Sequence, residues 1–526
     1  MDSEIRERKG VGTVNIGRVV GNSVMETRFR MNFGEVLQVG EMLVVENDGT
    51  SDRYLIRVMD IEHGADADEM NWMVTEAGLI LRRDAKDDYY DVEGIRDQLF
   101  CTGVCSPLGC VNRASFRKTK TIPNHFSKVR RTNIDDYQFL KESLGDIQVG
   151  NLRSGDQVLD FPVGISGRAI PHHIGIFATT GMGKSNLMKN LALSCMHLRK
   201  YGFLVLDPHG EYYDGGESGK KGLRHAGMSD ALVVFSSRKL DGPYNTLHVA
   251  ASEIQIADLE NLYEFSGPQL EFMQSAQFRY GETWLTDLND KTVQQIAKDL
   301  GEGKYHEGTI NVVKRRLESL FRFDLISKDP KLSITSHVID CLHNGKVVLV
   351  DTSNMYETEE LLISTVLSRA IFEKNKALYG DKTQFDKIPP VLIAMEEAQR
   401  VLTEAKGSIF AQIAREGRKF KTGLCAVSQQ PKLIDNEIIS QFNTLFILGL
   451  ADRKDREILR NSAKQDISQL DNEIQMLMPG EALIASPFTP FAVPVKIHLY
   501  EEYLQRTARG EEKKLSKRTV VDSKFF

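Results

Sequence analysis

Residues 173–185 read His-Ile-Gly-Ile-Phe-Ala-Thr-Thr-Gly-Met-Gly-Lys-Ser. His173 to Ala178 is an apolar run of strand length, Lys184 to Leu198 has a helical pattern, and Phe203 to Asp207 is again a strand. Together they predict a complete βαβ unit. A glycine-rich turn between strand and helix is a phosphate cradle, because the backbone curls until successive N–H groups face the anion and the helix N-terminus adds its dipole. Thr180, Gly181, Met182, Gly183, Lys184, Ser185 and Asn186 are the predicted nucleotide contacts, with Lys184 on the β and γ phosphates and Ser185 on Mg²⁺. Ala178 stands where such a turn usually opens with glycine, and its small side chain still permits close approach.

Three further strings extend this reading. Pro390 to Ala398 is an apolar strand ending in Glu396-Glu397. Side chains alternate along a strand, so Glu396 is predicted to serve the Mg²⁺ water shell and Glu397 to be the general base. Asp207-Pro-His-Gly-Glu-Tyr closes the strand after the cradle helix, where parallel sheets gather ligands, and assigns Asp207, His209 and Glu211 to the nucleotide site. Gln429, at a strand tip, is placed to sense the γ phosphate, while Arg415 and Arg418 are candidates for an arginine finger entering a neighbour's site. No Asn-Lys-x-Asp string is present, so the expected nucleotide is ATP.

The chain of 526 residues is 41% hydrophobic and 27% charged, enough apolar material for more than one core. Its 67 Lys+Arg against 73 Asp+Glu leave a net charge of -6, which excludes a uniformly basic coat for nucleic acid. No apolar run approaches the ~18 residues of a membrane helix, and Met1 to Gly10 mixes acids and bases unlike a secretory leader, so a cytoplasmic protein without membrane contact is expected. Cys195, Cys341 and Cys425 read as reduced core thiols. Cys101, Cys105 and Cys110, with His125 far off, read as barrel or loop residues before a zinc site.

Residues 1–110 alternate like a small β-barrel, and 111–150 reads as an exposed basic linker because Arg113, Arg117, Lys118, Lys120, Lys128, Arg130 and Arg131 occur there with no acid between Thr102 and Ile134. An α/β core follows at 151–251, interrupted by a helical insertion at 252–325, resumed at 326–500, and ended by a polar tail at 501–526.

In order and spacing, these strings, with Arg315-Arg316-Leu317-Glu318, resemble the HerA ATPases, relatives of the FtsK DNA pumps; Ile16-Gly17-Arg18-Val19-Val20-Gly21 and Gly40-Glu41 resemble that family's barrel. The resemblance implies a RecA-like core under a barrel collar, a homo-hexameric ring with double-stranded DNA in its channel, ATP and Mg²⁺ as cofactors, and a partner. That partner would be a NurA-like nuclease in DNA end processing, or another effector, such as a sirtuin-like NADase or a nuclease, in anti-phage defence. The competing class is a nucleotide-gated ring scaffold that activates a bound effector with little translocation.

Overall fold

A computed structural model of the chain describes residues 15–32, 34–47, 52–65, 99–112, 115–216, 219–321, 325–402 and 408–508. The sequence readings on Met1 to Gly10, on Arg113 and on the end of the tail fall outside these residues.

The N-terminal strands are β1 (Asn15–Asn22), β2 (Thr27–Met31), β3 (Met42–Glu46), β4 (Arg53–Ala65), β5 (Leu99–Asn112), β6 (Ser115–Arg117) and β7 (Lys128–Arg131). They pair in the order β2-β1-β7-β3-β4-β5, and a β2–β5 ladder closes the circle; β6 hangs on the outside of β5. Period-2 alternation turns Ile16, Val19, Phe29, Leu43, Val45, Ile56, Val58 and Val129 inward to form the barrel's own core. Cys105 and Cys110 are buried in β5, where burial pushes both thiols up, and half-buried Cys101 lies 3.5 Å from His63 Nδ1.

The expected basic linker is corrected here. Strand β7 lies inside it, between β1 and β3, so the barrel runs to Arg131 rather than ending at 110. Arg130 is buried, donating from Nε to Glu46 (2.6 Å) and from Nη1 to Asp136 (2.8 Å). Arg131 bonds Glu41 (2.9 Å) and Glu35 (3.0 Å), and Arg117 bonds Asp52 (2.8 Å). The acids missing from the local sequence arrive from distant segments, and Lys118, Lys120 and Lys128 of the predicted patch present exposed side chains with no ion pair of this kind to another described residue.

The second sheet contains β8 (Ile147–Ser154), β9 (Gln157–Ile165), β10 (Ile174–Phe177), β11 (Gly202–Asp207), β12 (Leu232–Ser236), β13 (Asn245–Thr246), β16 (Val347–Asp351), β17 (Val391–Met395), β18 (Thr422–Ser428), β19 (Thr444–Ile447), β20 (Glu481–Ala485) and β21 (Val493–Ile497). Its order is β13-β12-β16-β11-β17-β18-β10-β19-β20-β21-β8-β9, parallel from β13 to β19 and antiparallel beyond. Strands β10, β11, β16, β17 and β18 are buried along their whole length, as a parallel sheet covered on both faces requires. Helices α1 (Lys184–Leu198) and, between β16 and β17, Glu357–Leu378 are crossovers of this sheet.

Between a short parallel pair, β14 (Val249–Ala250) and β15 (Ile326–Ser327), the insertion packs α2 (Gly267–Tyr280), α3 (Trp284–Asp290), α4 (Val293–Leu300) and α5 (Glu307–Phe321) around Phe272, Trp284, Leu288, Ile296, Val313 and Leu317. The polar tail is a second correction: Tyr500–Ala508 is a helix whose Tyr500, Tyr503 and Leu504 pack into the core beside α1. No helix among the described residues is long and apolar enough to cross a membrane.

His173, at φ +62°, enters β10 with Nδ1 accepting the Leu424 N–H at 3.0 Å, and burial, then the neighbouring His172, lowers its pKa to about 4 from 6.5. Between those values the unfolded chain takes a proton that the folded chain refuses, so this histidine's contribution to stability is complete above 6.5 and is lost as pH falls toward 4. His173→Asn keeps an acceptor and tolerates the left-handed backbone. Its melting temperature should therefore fall less than that of the parent on acidification from about pH 7 to about pH 4.5; equal falls would exclude His173 from the acid response.

Candidate nucleotide site

The turn after β10 is built for an anion. Gly181 (φ +80°) and Gly183 (φ +104°) occupy left-handed backbone, and Gly183 opens α1 without any side-chain cap, leaving the first-turn N–H groups to an external acceptor. Thr179 anchors the turn by donating from both N and Oγ1 to the Gly449 carbonyl, each at 3.0 Å, and the Met182 carbonyl accepts Gly480 N–H at 3.1 Å. Lys184 folds back so that Nζ donates to the carbonyls of Ala178 (3.2 Å) and Thr179 (3.3 Å). Burial lowers its pKa while Glu396, Glu397 and Glu211 oppose that shift, so the ammonium already lies in the field of the site's acids.

The Asn186 side chain faces away from this cradle, and only its backbone N–H is left to it. Its Nδ2 donates to the His498 carbonyl (2.8 Å) and its Oδ1 accepts Tyr500 N–H (2.9 Å), because two residues beyond Lys184 the helix has rotated away from the turn. It ties α1 to the C-terminal helix instead. Met182 likewise turns its side chain toward Gly449, where an added Cβ would lie 2.4 Å from the Met182 methyl, and offers the crevice only backbone.

At the end of β17 the two acids diverge. Glu396, its side chain 9% exposed, accepts the Tyr212 hydroxyl and has its pKa pushed up to about 7, first by desolvation. Glu397 adopts φ +47°, a left-handed conformation costing on the order of 1 kcal/mol outside glycine. That turn carries its carboxylate to β18, where Oε1 accepts Gln429 Nε2 (3.0 Å) and Oε2 accepts Gln399 Nε2 (2.5 Å). Gln429 also accepts the Thr180 hydroxyl, and Gln399 accepts the Ser428 hydroxyl at 2.6 Å. One hydrogen-bonded chain thus joins the phosphate turn to the second acid.

Asp207 is corrected as a direct participant. It is fully buried, and its carboxylate accepts the backbone N–H groups of His209 (3.1 Å), Gly210 (2.7 Å), Glu211 (3.3 Å) and Tyr212 (3.0 Å). Burial raises its pKa to about 6 against those donors. It builds the turn, while exposed His209 reaches the crevice with Nε2 3.9 Å from Glu396 Oε2. Exposed Glu211 lies within electrostatic reach of Lys184.

Ser185, on the first turn of α1, and Glu396 are oxygen donors of the type Mg²⁺ accepts. Among the described residues no cluster of three His, Cys, Asp or Glu is arranged to hold an ion. A cation here fits this chain as one that shares its ligands with nucleotide phosphates and water rather than one caged by protein.

Residues 147–371 match the family model of the helicase HerA central domain. A DNA double-strand break repair helicase HerA of Saccharolobus solfataricus is 27% identical over 383 residues, 68% of this chain and 69% of that one. A probable helicase of Methanocaldococcus jannaschii is 25% identical over 389 residues, 70% of each chain. The chain is an ATP-hydrolysing enzyme similar to the HerA helicases. Among solved structures, VirB4 of Thermoanaerobacter pseudethanolicus is similar at a TM-score of 0.44 and 15% identity, covering 67% of this chain and 96% of that one.

In this chain the two arginines sit apart from the phosphate turn. Helix Ile409–Glu416 and the turn Gly417–Phe420 precede β18, whereas Gln429 follows it, so roughly 20 Å of strand at about 3.3 Å per residue separates Arg418 from the crevice. Arg418 is exposed, and half-exposed Arg415 lies 3.4 Å from Glu437. Sequence reading missed Gln399, Tyr212 and the two clamping glycines, Gly449 and Gly480. A buried tyrosine or a lone glycine announces no chemistry until the fold supplies its neighbour.

The contrast between Lys184 and Asn186 is testable. Lys184→Ala should lower ATP turnover by about two orders of magnitude or more, the usual effect of removing a preorganised charge. Asn186→Ala should instead lower the melting temperature through two lost hydrogen bonds, worth about 1–3 kcal/mol, with ATP affinity within roughly twofold of the parent. Calorimetric titration and thermal unfolding separate the two; loss of ATP binding in Asn186→Ala would return that residue to the cradle.

Proposed function

We propose that this ATPase is a ring-forming, ATP-driven translocase or helicase of double-stranded DNA, a homo-hexamer working beside a nuclease or another effector in DNA end processing or anti-phage defence. The observation that carries the proposal is the Thr180–Gln429–Glu397 connection, because it couples the state of the phosphate turn to the acid that activates water. Glu397, aimed by Gln429 and Gln399, accepts a proton from water as the new O–P bond forms and the bond to the β-phosphate bridging oxygen breaks. Lys184 and the first-turn N–H groups of α1 stabilise the charge on the phosphates. Mg²⁺, held from Ser185 and the Glu396 side, supplies further charge neutralisation when bound. The amide of Gln429 then responds to loss of the γ phosphate and passes that change along β18.

Arg418 and Arg415, at the opposite end of the sheet from their own phosphate turn, are assigned to a neighbouring subunit's nucleotide. Names of relatives support the DNA substrate: the curated HerA proteins are DNA double-strand break repair helicases.

DNA-coupled turnover tests the proposal. Unrelated duplexes should stimulate ATP hydrolysis to a similar degree, with stimulation falling as salt rises, since phosphate contacts release counterions and read no sequence. Doping Arg418→Ala subunits into parent assemblies should depress activity beyond their mole fraction. ATP turnover indifferent to duplex DNA would favour the nucleotide-gated scaffold, and a linear doping curve would count against a shared site at Arg418.

A further inference from the structure

The turn that follows β11 is rigid for a specific reason: Asp207 spends its carboxylate on four successive backbone N–H groups. This internal cap fixes the path of the chain as far as Tyr212, whose carbonyl accepts Leu223 N–H at 2.7 Å. The Tyr212 ring is 1% exposed and packs in the core cluster of the sheet's α1 side. A phenylalanine would fill that space equally well. Burying a hydroxyl is costly unless it finds a partner, and here the partner is Glu396 Oε1. The other oxygen, Oε2, lies on the side of the crevice occupied by His209 Nε2, 3.9 Å away.

A glutamate at the end of a strand has three side-chain torsions, and a buried carboxylate without a donor settles wherever it meets a positive charge. Lys184 is such a charge within its field. The hydroxyl removes that freedom by fixing one oxygen, which leaves the other directed toward the crevice. Partners that orient a ligating carboxylate commonly control cation affinity or activity by about 10–100-fold.

We infer that Tyr212 is a positioning residue for ATP hydrolysis, its hydroxyl holding Glu396 by Oε1 so that Oε2 is kept for the cation side of the nucleotide site. The turn Asp207-Pro-His-Gly-Glu-Tyr is then a brace for the acid of β17 rather than a set of phosphate contacts. This rests on the assignment of Glu396 to the cation side of the site.

The test uses the full chain and Tyr212→Phe, Glu396→Gln and the double variant. Mn²⁺ binding is read by electron paramagnetic resonance in the presence of a non-hydrolysable ATP analogue, alongside ATP turnover, analogue binding in EDTA, and thermal unfolding. Tyr212→Phe should weaken Mn²⁺ binding about tenfold and lower kcat about 10–100-fold, while analogue affinity in EDTA stays within roughly twofold. Because Tyr212 acts through Glu396, adding Tyr212→Phe to Glu396→Gln should weaken Mn²⁺ binding no further, a non-additivity that general loss of structure does not produce. Parent-like Mn²⁺ affinity and kcat in Tyr212→Phe, with both lost in Glu396→Gln, would overturn the inference while leaving Glu396 in place. Additive losses would overturn it as a packing effect. Parent-like values in Glu396→Gln would remove the assignment of Glu396 and the inference together.

Discussion

Parallel pairing in one register brings the working groups of this molecule together. Phe177 of β10 stands opposite Ser428 of β18, Met395 of β17 opposite Ala426 of β18, and Leu206 of β11 opposite Met395, so four strands end along one edge. The phosphate turn, the Gln429 amide, the Glu396–Glu397 pair and the Asp207 turn are each the first residues beyond those ends. Right-handed crossovers require that shared direction, and the carboxyl edge of such a sheet is where ligands gather. Each functional side chain is therefore positioned by backbone ladders, which are stiffer than any side-chain contact.

The antiparallel half of the sheet holds the site from the other side. Gly449, just beyond β19, receives both donors of Thr179, and Gly480, just before β20, donates to Met182. The same C-terminal segment reaches the barrel through helix Asp471–Met476. Its Glu473 accepts Arg153 Nη2 at 3.0 Å and lies 3.8 Å from Arg57 of β4, whose Nη2 donates to the Ala492 carbonyl at 2.5 Å. All three charged side chains are buried, an arrangement in which removing one partner commonly costs about 3–5 kcal/mol by leaving a charge uncompensated. Barrel, phosphate turn and sheet are thus joined by a short run of chain.

Elements bounded by a change in residue chemistry were legible in the sequence. Helix α1 lies at the predicted residues and strands β10 and β11 end within one residue of theirs, because an apolar run stops at glycine, acid or turn formers. Where partners come from far along the chain, local reading misled. Arg130 and Arg131 looked like solvated charge until folding brought Glu46, Asp136, Glu41 and Glu35 against them. Asp207 looked like a ligand because an acid at a strand end usually faces the crevice, whereas the following backbone curls round to consume it. Asn186 was counted with the turn by adjacency, although helix rotation points it at His498 and Tyr500.

If these strand ends form one nucleotide-responsive unit, a bound nucleotide should register at all of them. Hydrogen–deuterium exchange of the full chain, with and without a non-hydrolysable ATP analogue and Mg²⁺, tests it most directly. Added protection is expected in peptides spanning residues 179–187, 207–213, 396–400 and 428–430 together, since the Thr180, Gln429 and Glu396–Glu397 contacts share one crevice. Protection confined to 179–187, with the three other strand ends unchanged, would contradict it.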